Sequence, residues 1–495
     1  MVRNLIRCSL SVAVALSCLM GQDAVGDDAA MTQRERDLLI RLESMMERLE
    51  GVENELEALK AEKQQSSESG DVADPDTKIR EAAMEERIAQ LEQDRRDNLK
   101  TFWKEGLKIE SQDGAFKLQL GGRVWADYSW YHQDEALKNA VFDEQDGGQI
   151  RMARLDLRGD IYKDLFYRLE YEFAGNNGPG GFTDTYVGLR NIPYVGTLTV
   201  GHFKEPFSLE ELTSDNFTTF MERGQPNGLS PARNLGIQLS NAYLGEPKKE
   251  RLTYAVGVFK NTDNWPSAND ADEDQGASVT GRLTALPWYK YSGEQLLHVG
   301  LSYSHRNPDG ATINRYQLQP SPENRFTQFR WLNSEGFAGF RLQDARTDNV
   351  DLFGLESALV YGPFSLQGEY MLSKNETTFG GDLDFDGYYI QASYFLTGEY
   401  RAYKNANGIF DRIKPKQNFA WGKGIGAWEV AARFSSLDLN DGGVRGGEAD
   451  NITLGVNWYL NPNMRWMLNY TMADIEHDLY DGDLEILQMR FQVDF

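Results

Sequence analysis

The stretch Glu485-Ile-Leu-Gln-Met-Arg-Phe-Gln-Val-Asp-Phe495 closes the chain and decides the fold. Apolar and polar side chains alternate along it, and this period of two predicts a β-strand with one apolar and one polar face. A terminal aromatic residue with a free carboxylate has little use at the edge of a soluble sheet. It suits a strand that completes a barrel in a bilayer, where the outer face meets lipid and the inner face meets water. The predicted outer face comprises Leu487, Met489, Phe491, Val493 and Phe495, and the predicted inner face comprises Gln488, Arg490, Gln492 and Asp494.

Sixteen alternating segments follow one another from Ala115 to the C terminus. Each has about ten residues, the length that a tilted strand needs to cross the hydrocarbon of a bilayer. Short and long connections alternate, as expected for a meander through a membrane, whereas Greek-key sandwiches follow no such rule. The sequence therefore predicts an all-β fold, a 16-stranded antiparallel transmembrane β-barrel over residues 101–495. The links at 162–164, 191–196, 362–363 and 461–463 are predicted to be short, and those between strands 5 and 6 and between strands 13 and 14 are predicted to be long.

Residues 398–426 do not fit this alternation, because they form a long link on the side that is predicted to be short. Either this segment folds into the lumen or the strand count is wrong by one hairpin. An even number of strands places both ends of the barrel domain on the periplasmic side.

The first hundred residues have a different composition. Residues 1–26 carry two arginines ahead of a short apolar core, which predicts a secretory signal peptide. Residues 27–100 are rich in charged residues and leucine and predict an α-helical coiled coil, a periplasmic stalk with a break near 64–77. A single solvated amphipathic helix is the alternative. The heptad seam comprises Leu38, Leu42, Met45, Leu49, Val52, Leu56 and Leu59.

Composition excludes several classes of protein. A formal net charge of −25 argues against nucleic-acid binding, and a mean hydropathy of −0.56 argues against a bundle of membrane helices. The only cysteines, Cys8 and Cys18, lie in the predicted signal, so the mature chain has no disulfide framework and no thiolate site. Scattered histidines without a nucleophile or zinc motif predict that the protein is not an enzyme and has neither a metal nor a cofactor.

Charged side chains on the polar faces are predicted to point into the lumen, because an arginine at the lipid midplane costs about 2–4 kcal/mol. The inward set is mixed in sign. It can form a selectivity ring, or cross-strand pairs that only brace the wall. The pore-lining candidates are Lys117, Arg123, Arg154, Arg158, Arg168, Arg190, Arg282 and Arg433.

The link from Glu205 to Ala232, between strands 5 and 6, is long and hydrophobic. Such a loop is unlike a solvated one, and we expect it to fold inward and narrow the pore. An exposed loop that packs on a neighbouring subunit is the alternative. The constriction candidates are Lys204, Glu210, Glu211, Arg223 and Arg233.

Several stretches resemble a known family, the phosphate-selective porins O and P of Gram-negative outer membranes. The similarity covers roughly residues 115–495, and Lys204-Glu-Pro-Phe-Ser-Leu209 is its most specific part. The resemblance implies a trimeric barrel of sixteen strands, a constricting third loop and a preference for phosphate-like anions. It also implies that the long 398–426 segment is a family feature. The other matching stretches are Arg154–Gly159, Phe220–Arg223, Ala232–Ile237, Ser393–Glu399, Gly408–Lys416 and the terminal Phe495.

These features predict a homotrimeric porin in the outer membrane of a Gram-negative-type bacterium. It would be surrounded by outer-membrane lipid and would pass small hydrophilic solutes, anions such as phosphate, by passive diffusion. The second hypothesis is an envelope tether, in which the barrel is an anchor and the coiled coil reaches peptidoglycan. A third is a soluble secreted β protein, which would bury its apolar rows against another layer of protein.

Overall fold

Sixteen antiparallel strands close into a barrel in the computed structural model of the chain. The structure describes residues 99–495 apart from 141, 176–179, 248, 261–275, 309–317, 321, 327–328 and 335–341, together with 55, 58, 61, 82–83 and 85–90. The chain divides into two compact units, Met1–Asn98 and Leu99–Phe495. The second unit contains the barrel, and the predicted strand count is confirmed.

The barrel begins at β3 and ends at β20, with a hairpin (β1 and β2) ahead of it and a small two-stranded sheet (β15 and β16) late in the chain. The first ten strands are β1 Lys100–Trp103, β2 Leu107–Glu110, β3 Phe116–Gln133, β4 Gly147–Ile161, β5 Leu165–Glu172, β6 Gly181–Ile192, β7 Gly196–Lys204, β8 Arg233–Tyr243, β9 Leu252–Lys260 and β10 Ala277–Lys290. The others are β11 Gln295–Asn307, β12 Thr347–Tyr361, β13 Phe364–Thr377, β14 Leu383–Phe395, β15 Tyr403–Lys404, β16 Ile409–Phe410, β17 Ala427–Asp441, β18 Val444–Asn461, β19 Met464–His477 and β20 Tyr480–Asp494.

Helices are few and short in the barrel unit. They are α1 Glu135–Ala140, α2 Leu209–Leu212 and α3 Leu342–Ala345, with 3₁₀ turns at Asp215–Phe217, Gln225–Leu229, Tyr291–Gly293 and Asn405–Asn407. No helix in the described part of the chain is both long and apolar enough to span a membrane.

The described residues of the first unit are helical, and Arg87 pairs with Glu55 at 2.9 Å. The predicted signal peptide and every residue named for the heptad seam lie outside the described residues. The periplasmic coiled-coil stalk over 27–100 therefore stays a prediction from the sequence.

The C-terminal strand closes the ring. β20 pairs with β3 from Leu484 opposite Gln133 to Asp494 opposite Arg123. Phe495 continues the ladder, because its backbone exchanges two hydrogen bonds of 2.8 and 2.9 Å with Gly122. A Cβ atom on Gly122 would lie 2.8 Å from the Phe495 ring, so glycine is required at this close approach. Beyond this point β2 takes over as the partner of β3, and the hydrogen-bonding edge of β3 stays covered.

Side-chain alternation along β20 follows the sequence prediction. Gln488, Arg490 and Gln492 are buried on the inner face, whereas Leu487 and Phe491 are exposed on the outer face. The same outward exposure recurs around the barrel. In the described part of the chain no second layer of protein covers these apolar rows, which argues against the soluble β protein.

Aromatic side chains bracket the apolar belt at both ends of the barrel. On β12, the outward Phe353 and Tyr361 are eight positions apart, roughly 26 Å along the strand. A strand tilt of about 40° shortens this to roughly 20 Å along the barrel axis, close to the height of the apolar band of such barrels. Tyr361 faces Phe364 on β13, and Trp428 faces Trp458 between β17 and β18.

The two ends of the barrel differ in their connections. We call the end where β3 starts and β20 stops the terminal end, and the opposite end the far end. The four links predicted to be short are short and lie at the terminal end. The prediction of a long link between predicted strands 13 and 14, which are β17 and β18 of the structure, is wrong. β17 and β18 extend towards each other and are joined by residues 442–443 alone, and the acidic residues Asp438 and Glu448 stand opposite each other in the ladder.

The apolar belt can be tested with a charged substitution. Leu355 points outward in the middle of β12 and is 60% exposed. We expect Leu355→Arg to lower the free energy of unfolding in lipid vesicles by about 2–4 kcal/mol, the cost of a cation at the bilayer midplane. Urea unfolding followed by tryptophan fluorescence measures this. Leu479→Arg, in the turn between β19 and β20, is the control and should cost less than about 1 kcal/mol. Equal costs for the two variants would contradict the membrane orientation.

Candidate functional site

The link between β7 and β8, residues 205–232, turns back into the barrel from the far end. Its apolar side chains Phe207, Leu209, Phe220, Met221 and Leu229 are all buried. This placement agrees with the inward loop expected from the sequence. We call the segment the constriction loop.

Three arginines of the opposite wall hold the constriction loop by its backbone. Arg433 on β17 donates two hydrogen bonds of 3.1 Å to the carbonyl oxygen of Glu222. Arg490 on β20 donates to the carbonyl oxygen of Met221 at 2.5 Å, and Arg465 on β19 donates to that of Thr218 at 2.7 Å. The loop is therefore fixed by charge-assisted hydrogen bonds to its backbone carbonyl oxygens. Every residue has such a carbonyl group, so no sequence pattern reveals these contacts.

A carboxylate on a fourth strand holds the start of the loop. The side chain of Glu369 on β13 accepts hydrogen bonds from the backbone N–H groups of Leu209 at 3.0 Å and Glu210 at 2.7 Å. These are N–H groups in the first turn of α2, which have no partner within the helix. The candidate Glu210 is itself buried and pairs with Arg433 at 3.4 Å.

A compact set of paired charges rigidifies the loop from within. The candidate Arg223 pairs with Glu211 at 3.2 Å and with Asp215, and the candidate Lys204 pairs with Glu211 at 3.0 Å. Burial alone would raise the pKa of Asp215, but Arg223 and Lys204 hold it well below its usual value. Both carboxylates are thus ionised partners rather than free lumen charges.

Next to this loop, three candidate arginines converge on one carboxylate. Glu170 on β5 accepts hydrogen bonds from Arg123 at 2.6 Å, Arg154 at 3.1 Å and Arg168 at 2.8 Å. Glu170 is 1% exposed. Arg168 also pairs with Asp184 at 2.7 Å, and the candidate Arg233 pairs with the same carboxylate at 2.7 Å. These inward arginines are therefore neutralised where they stand, as in the bracing alternative.

Two cavities meet beside these pairs. The smaller, of about 390 Å³, lies against the constriction loop, and we call it the constriction cavity. The larger, of about 960 Å³, opens towards the terminal end between β3 and β10, and we call it the vestibule. Arg158, Arg168, Asp184 and Lys204 line both cavities, so the two cavities are adjacent beside the loop.

Lysines and arginines outnumber carboxylates among the residues that line the vestibule. Of the described residues that line it, eight are lysine or arginine and four are carboxylates. Arg158, Lys117 and Arg190 keep 42–47% of their side-chain surface exposed. The cations are Lys108, Lys117, Arg158, Arg168, Arg190, Lys204, Arg282 and Lys404, and the carboxylates are Glu110, Asp160, Asp184 and Glu250.

Two pore-lining candidates, Arg282 and Arg433, are held by carboxylates and by backbone carbonyl groups. Arg282 faces inward but pairs with Glu356 at 2.6 Å and donates to the carbonyl oxygen of Gly408 at 2.8 Å. Arg433 faces inward beneath the constriction loop, where it pairs with Glu323 and lies 4.4 Å from the ring centre of Phe220. Both side chains are structural anchors in this arrangement.

The segment that broke the alternation of links folds into the lumen. Between β14 and β17 it forms the small sheet of β15 and β16, and the guanidinium of Arg401 stacks on Phe410 at 3.5 Å. Arg412 pairs with Asp494 at the end of β20. The sixteen-strand count therefore holds, and the first of the two sequence alternatives is right. Lys404 of this segment lines the vestibule.

The far end contains an apolar core inside the barrel, which sequence reasoning missed. Trp331 and Leu332, from the link between β11 and β12, pack against inward residues of the wall such as Leu352, Leu437 and Ile486. Where a strand has apolar residues on both faces, its sequence does not show which side chains point inward. This core fills part of the lumen next to β12–β20, whereas the vestibule lies beside β3–β10.

A closed barrel with an apolar outer belt, a charged lumen and an inward loop that narrows it is the architecture of a porin, a channel of the outer membrane. The chain covers most of two curated relatives. "Porin O" of Pseudomonas aeruginosa is 30% identical over 401 residues, which cover 75% of this chain and 86% of that protein. An uncharacterized protein of Caulobacter vibrioides is 28% identical over 403 residues, which cover 79% of this chain and 76% of that protein.

Solved structures with a similar fold have lower identities. An anion-selective porin from Comamonas acidovorans superposes with a TM-score of 0.46 at 16% identity, covering 77% of this chain and all of that one. OprB of Pseudomonas putida superposes with a TM-score of 0.47 at 10% identity, covering 77% of this chain and 95% of that one.

The family model for phosphate-selective porins O and P matches residues 118–495. The chain belongs to this family. Membership and fold support an outer-membrane location and point to a channel rather than an enzyme.

The anchoring of the constriction loop can be tested at Arg433. We expect Arg433→Met to lower the free energy of unfolding by about 3–5 kcal/mol, because Glu323 and Glu210 stay buried without their guanidinium. The loosened loop should also raise the single-channel conductance in KCl and make it noisier. Arg445→Met removes an exposed cation 3.7 Å from Asp478 and is the control; it should cost less than about 1 kcal/mol. A wild-type conductance and stability for Arg433→Met would contradict the anchoring.

The acid stability of the loop should depend on Glu222. Burial would raise the pKa of this carboxyl, but Arg151, Arg490 and Arg325 lower it from 4.5 to about 2. Because the pKa is lower in the folded state, the stabilisation is present above pH 4.5 and is lost as the pH falls towards 2. Urea unfolding should therefore show the wild type more stable than Glu222→Gln at pH 7, with the difference shrinking between pH 4.5 and 2. Glu135→Gln, on the exposed side of α1, should show no such trend, and a constant difference for Glu222→Gln would oppose this assignment.

Proposed function

We propose that the protein is a homotrimeric outer-membrane porin that passes small hydrophilic anions, phosphate among them, by passive diffusion. One observation carries the anion preference. Four cations that line the vestibule, Lys117, Arg158, Arg190 and Lys404, keep exposed side chains, whereas Arg168, Lys204 and Arg282 on the same lining are paired with carboxylates. The family's name, phosphate-selective porin O and P, supports the same class of solute.

The difference between paired and available cations gives the proposed mechanism. Arg123, Arg154 and Arg233 are held by carboxylates at the constriction, so they add little net field. Arg158 has only a 3.7 Å contact with Asp156, and the exposed Lys404 makes no ion pair with any residue that the structure describes. An entering anion exchanges part of its water for charge-assisted hydrogen bonds to such groups. It leaves again because those groups are half exposed and bind weakly.

The envelope tether depends on the coiled coil. Its heptad residues lie outside the described residues, and so does any contact with peptidoglycan. We keep the homotrimer, the periplasmic stalk and the surrounding outer-membrane lipid as parts of the porin proposal. Light scattering of the detergent-extracted protein tests the trimer by its mass.

The anion preference is tested by the reversal potential in a KCl gradient across a planar bilayer. We expect wild type to prefer chloride over potassium, and Arg158→Glu to reduce that preference several-fold because it replaces an exposed cation at the narrowing of the path. Arg445→Glu, at the far end of β18, makes the same change of charge away from the lumen and should leave the reversal potential unchanged. Selectivity for potassium in the wild type would refute the proposal.

A further inference from the structure

A row of aromatic rings crosses the inner wall of the barrel beside the vestibule. Phe166 on β5, Tyr186 on β6, Phe203 on β7 and Phe259 on β9 contact one another edge to face, with ring centres 6.1, 5.9 and 5.6 Å apart. We call these four residues the aromatic stripe. Alternation in the sequence does not reveal the aromatic stripe, because Phe166 stands between outward residues that are also apolar.

Glycines make room for the stripe. Gly188 stands opposite Phe166 in the β5–β6 ladder, and a Cβ atom there would lie 2.2 Å from the Phe166 ring. Gly236 stands opposite Phe259, and a Cβ atom there would also lie 2.2 Å from the ring. The rings can therefore lie against the bare backbone of the neighbouring strand.

Phe166 and Tyr186 are half-buried and open to the vestibule, whereas Phe203 and Phe259 are 6% and 2% exposed. Phe166, Tyr186 and Phe203 line the cavity of about 960 Å³, and Phe259 backs Phe203 from a buried position. Inorganic phosphate and chloride have no apolar face, so they gain nothing from such rings. Aromatic faces bind apolar surfaces, including the C–H face of a sugar ring, and such stacking strengthens binding roughly tenfold.

Polar and cationic groups flank the rings on the adjoining strands. Thr197 and Thr199 on β7 and Gln238 and Ser240 on β8 line the same cavity and offer hydroxyl and amide groups. At one end, the guanidinium of Arg190 lies 4.3 Å from the ring centre of Phe166. The wall thus presents, side by side, an apolar surface, hydrogen-bonding groups and positive charge, the combination of an organic solute site.

We propose that the vestibule binds phosphorylated sugars in transit. The C–H face of the sugar ring lies on the aromatic stripe, its hydroxyl groups bond to the Thr, Gln and Ser side chains, and its phosphate contacts Arg158 and Lys404. Arg190 pairs with Asp160 at 2.6 Å and stays over Phe166. An aromatic carboxylate would use the rings and the cations but would leave the hydroxyl and amide groups without partners. This inference rests on the proposed anion porin and specifies its substrate class.

The test compares four solutes as blockers of chloride current through the full-length protein in planar bilayers. They are glucose 6-phosphate, inorganic phosphate, glucose and benzoate. We expect glucose 6-phosphate to block at roughly tenfold lower concentration than phosphate, the effect of about 1.4 kcal/mol of stacking. Glucose alone and benzoate should block more weakly than glucose 6-phosphate.

Variants assign that block to the stripe. Tyr186→Ala and Phe166→Ala should lose about tenfold in glucose 6-phosphate block and keep the phosphate block, and Tyr186→Phe should retain both. Tyr194→Ala, in the turn after β6, removes an exposed tyrosine outside the vestibule and should behave as wild type. Single-channel conductance in KCl identifies any variant that fails to fold, and the other of the two alanine variants then decides the test.

Equal block by glucose 6-phosphate and phosphate would overturn the inference, as would stronger block by benzoate or a block that survives loss of the rings. The reversal potential in the same bilayers separates the two proposals. Chloride selectivity with equal block refutes only the sugar phosphate site, whereas potassium selectivity refutes the anion porin.

Discussion

The closure of β20 on β3 is the contact on which the rest of the structure depends. Backbone N–H and C=O groups facing lipid have no water to bond with, so an open sheet edge is excluded from the bilayer. The ladder that ends with Phe495 on Gly122 removes that edge, and β2 continues along β3 where β20 stops. Once the ring is closed, each side chain faces either lipid or the lumen, so one face of a strand can be apolar and the other polar.

The lumen is filled by charge pairing as much as by apolar packing. Buried ion pairs are weak evidence for stability, but removing one partner leaves an uncompensated charge. In this barrel the pairs also fix geometry. Arg433 and Arg490 donate hydrogen bonds to backbone carbonyl groups of the constriction loop, and Glu170 accepts hydrogen bonds from three arginines on three strands. A loop held in this way keeps one position, which a passive channel of defined width requires.

Alternation in the sequence was enough to predict the sixteen strands, and the length and hydrophobicity of residues 205–232 predicted a loop that folds inward. Alternation also predicted Arg154, Arg158 and Arg168 on the inner face, and they line the constriction cavity. It failed where a strand has the same chemistry on both faces. Inward Leu437 and Ile486 were missed for that reason, and so was Phe166, which alternates with Leu165 and Tyr167. It also failed at residues 442–443, because acidic strand residues beyond the membrane look like a loop. The pairing of Arg433 with Glu323 joins positions 110 apart, and no local pattern contains that information.

Selectivity in such a lumen is set by which charges stay available, not by how many there are. The whole chain is strongly acidic and the inward charges are mixed in sign, so a count of residues favours no anion. The structure separates arginines that are consumed by Glu170 and Asp184 from cations such as Arg158 that remain half exposed. The aromatic stripe stands on the same wall as these exposed cations. A solute that carries both an anionic group and a flat apolar face therefore meets both kinds of surface at once, whereas a simple anion meets only one.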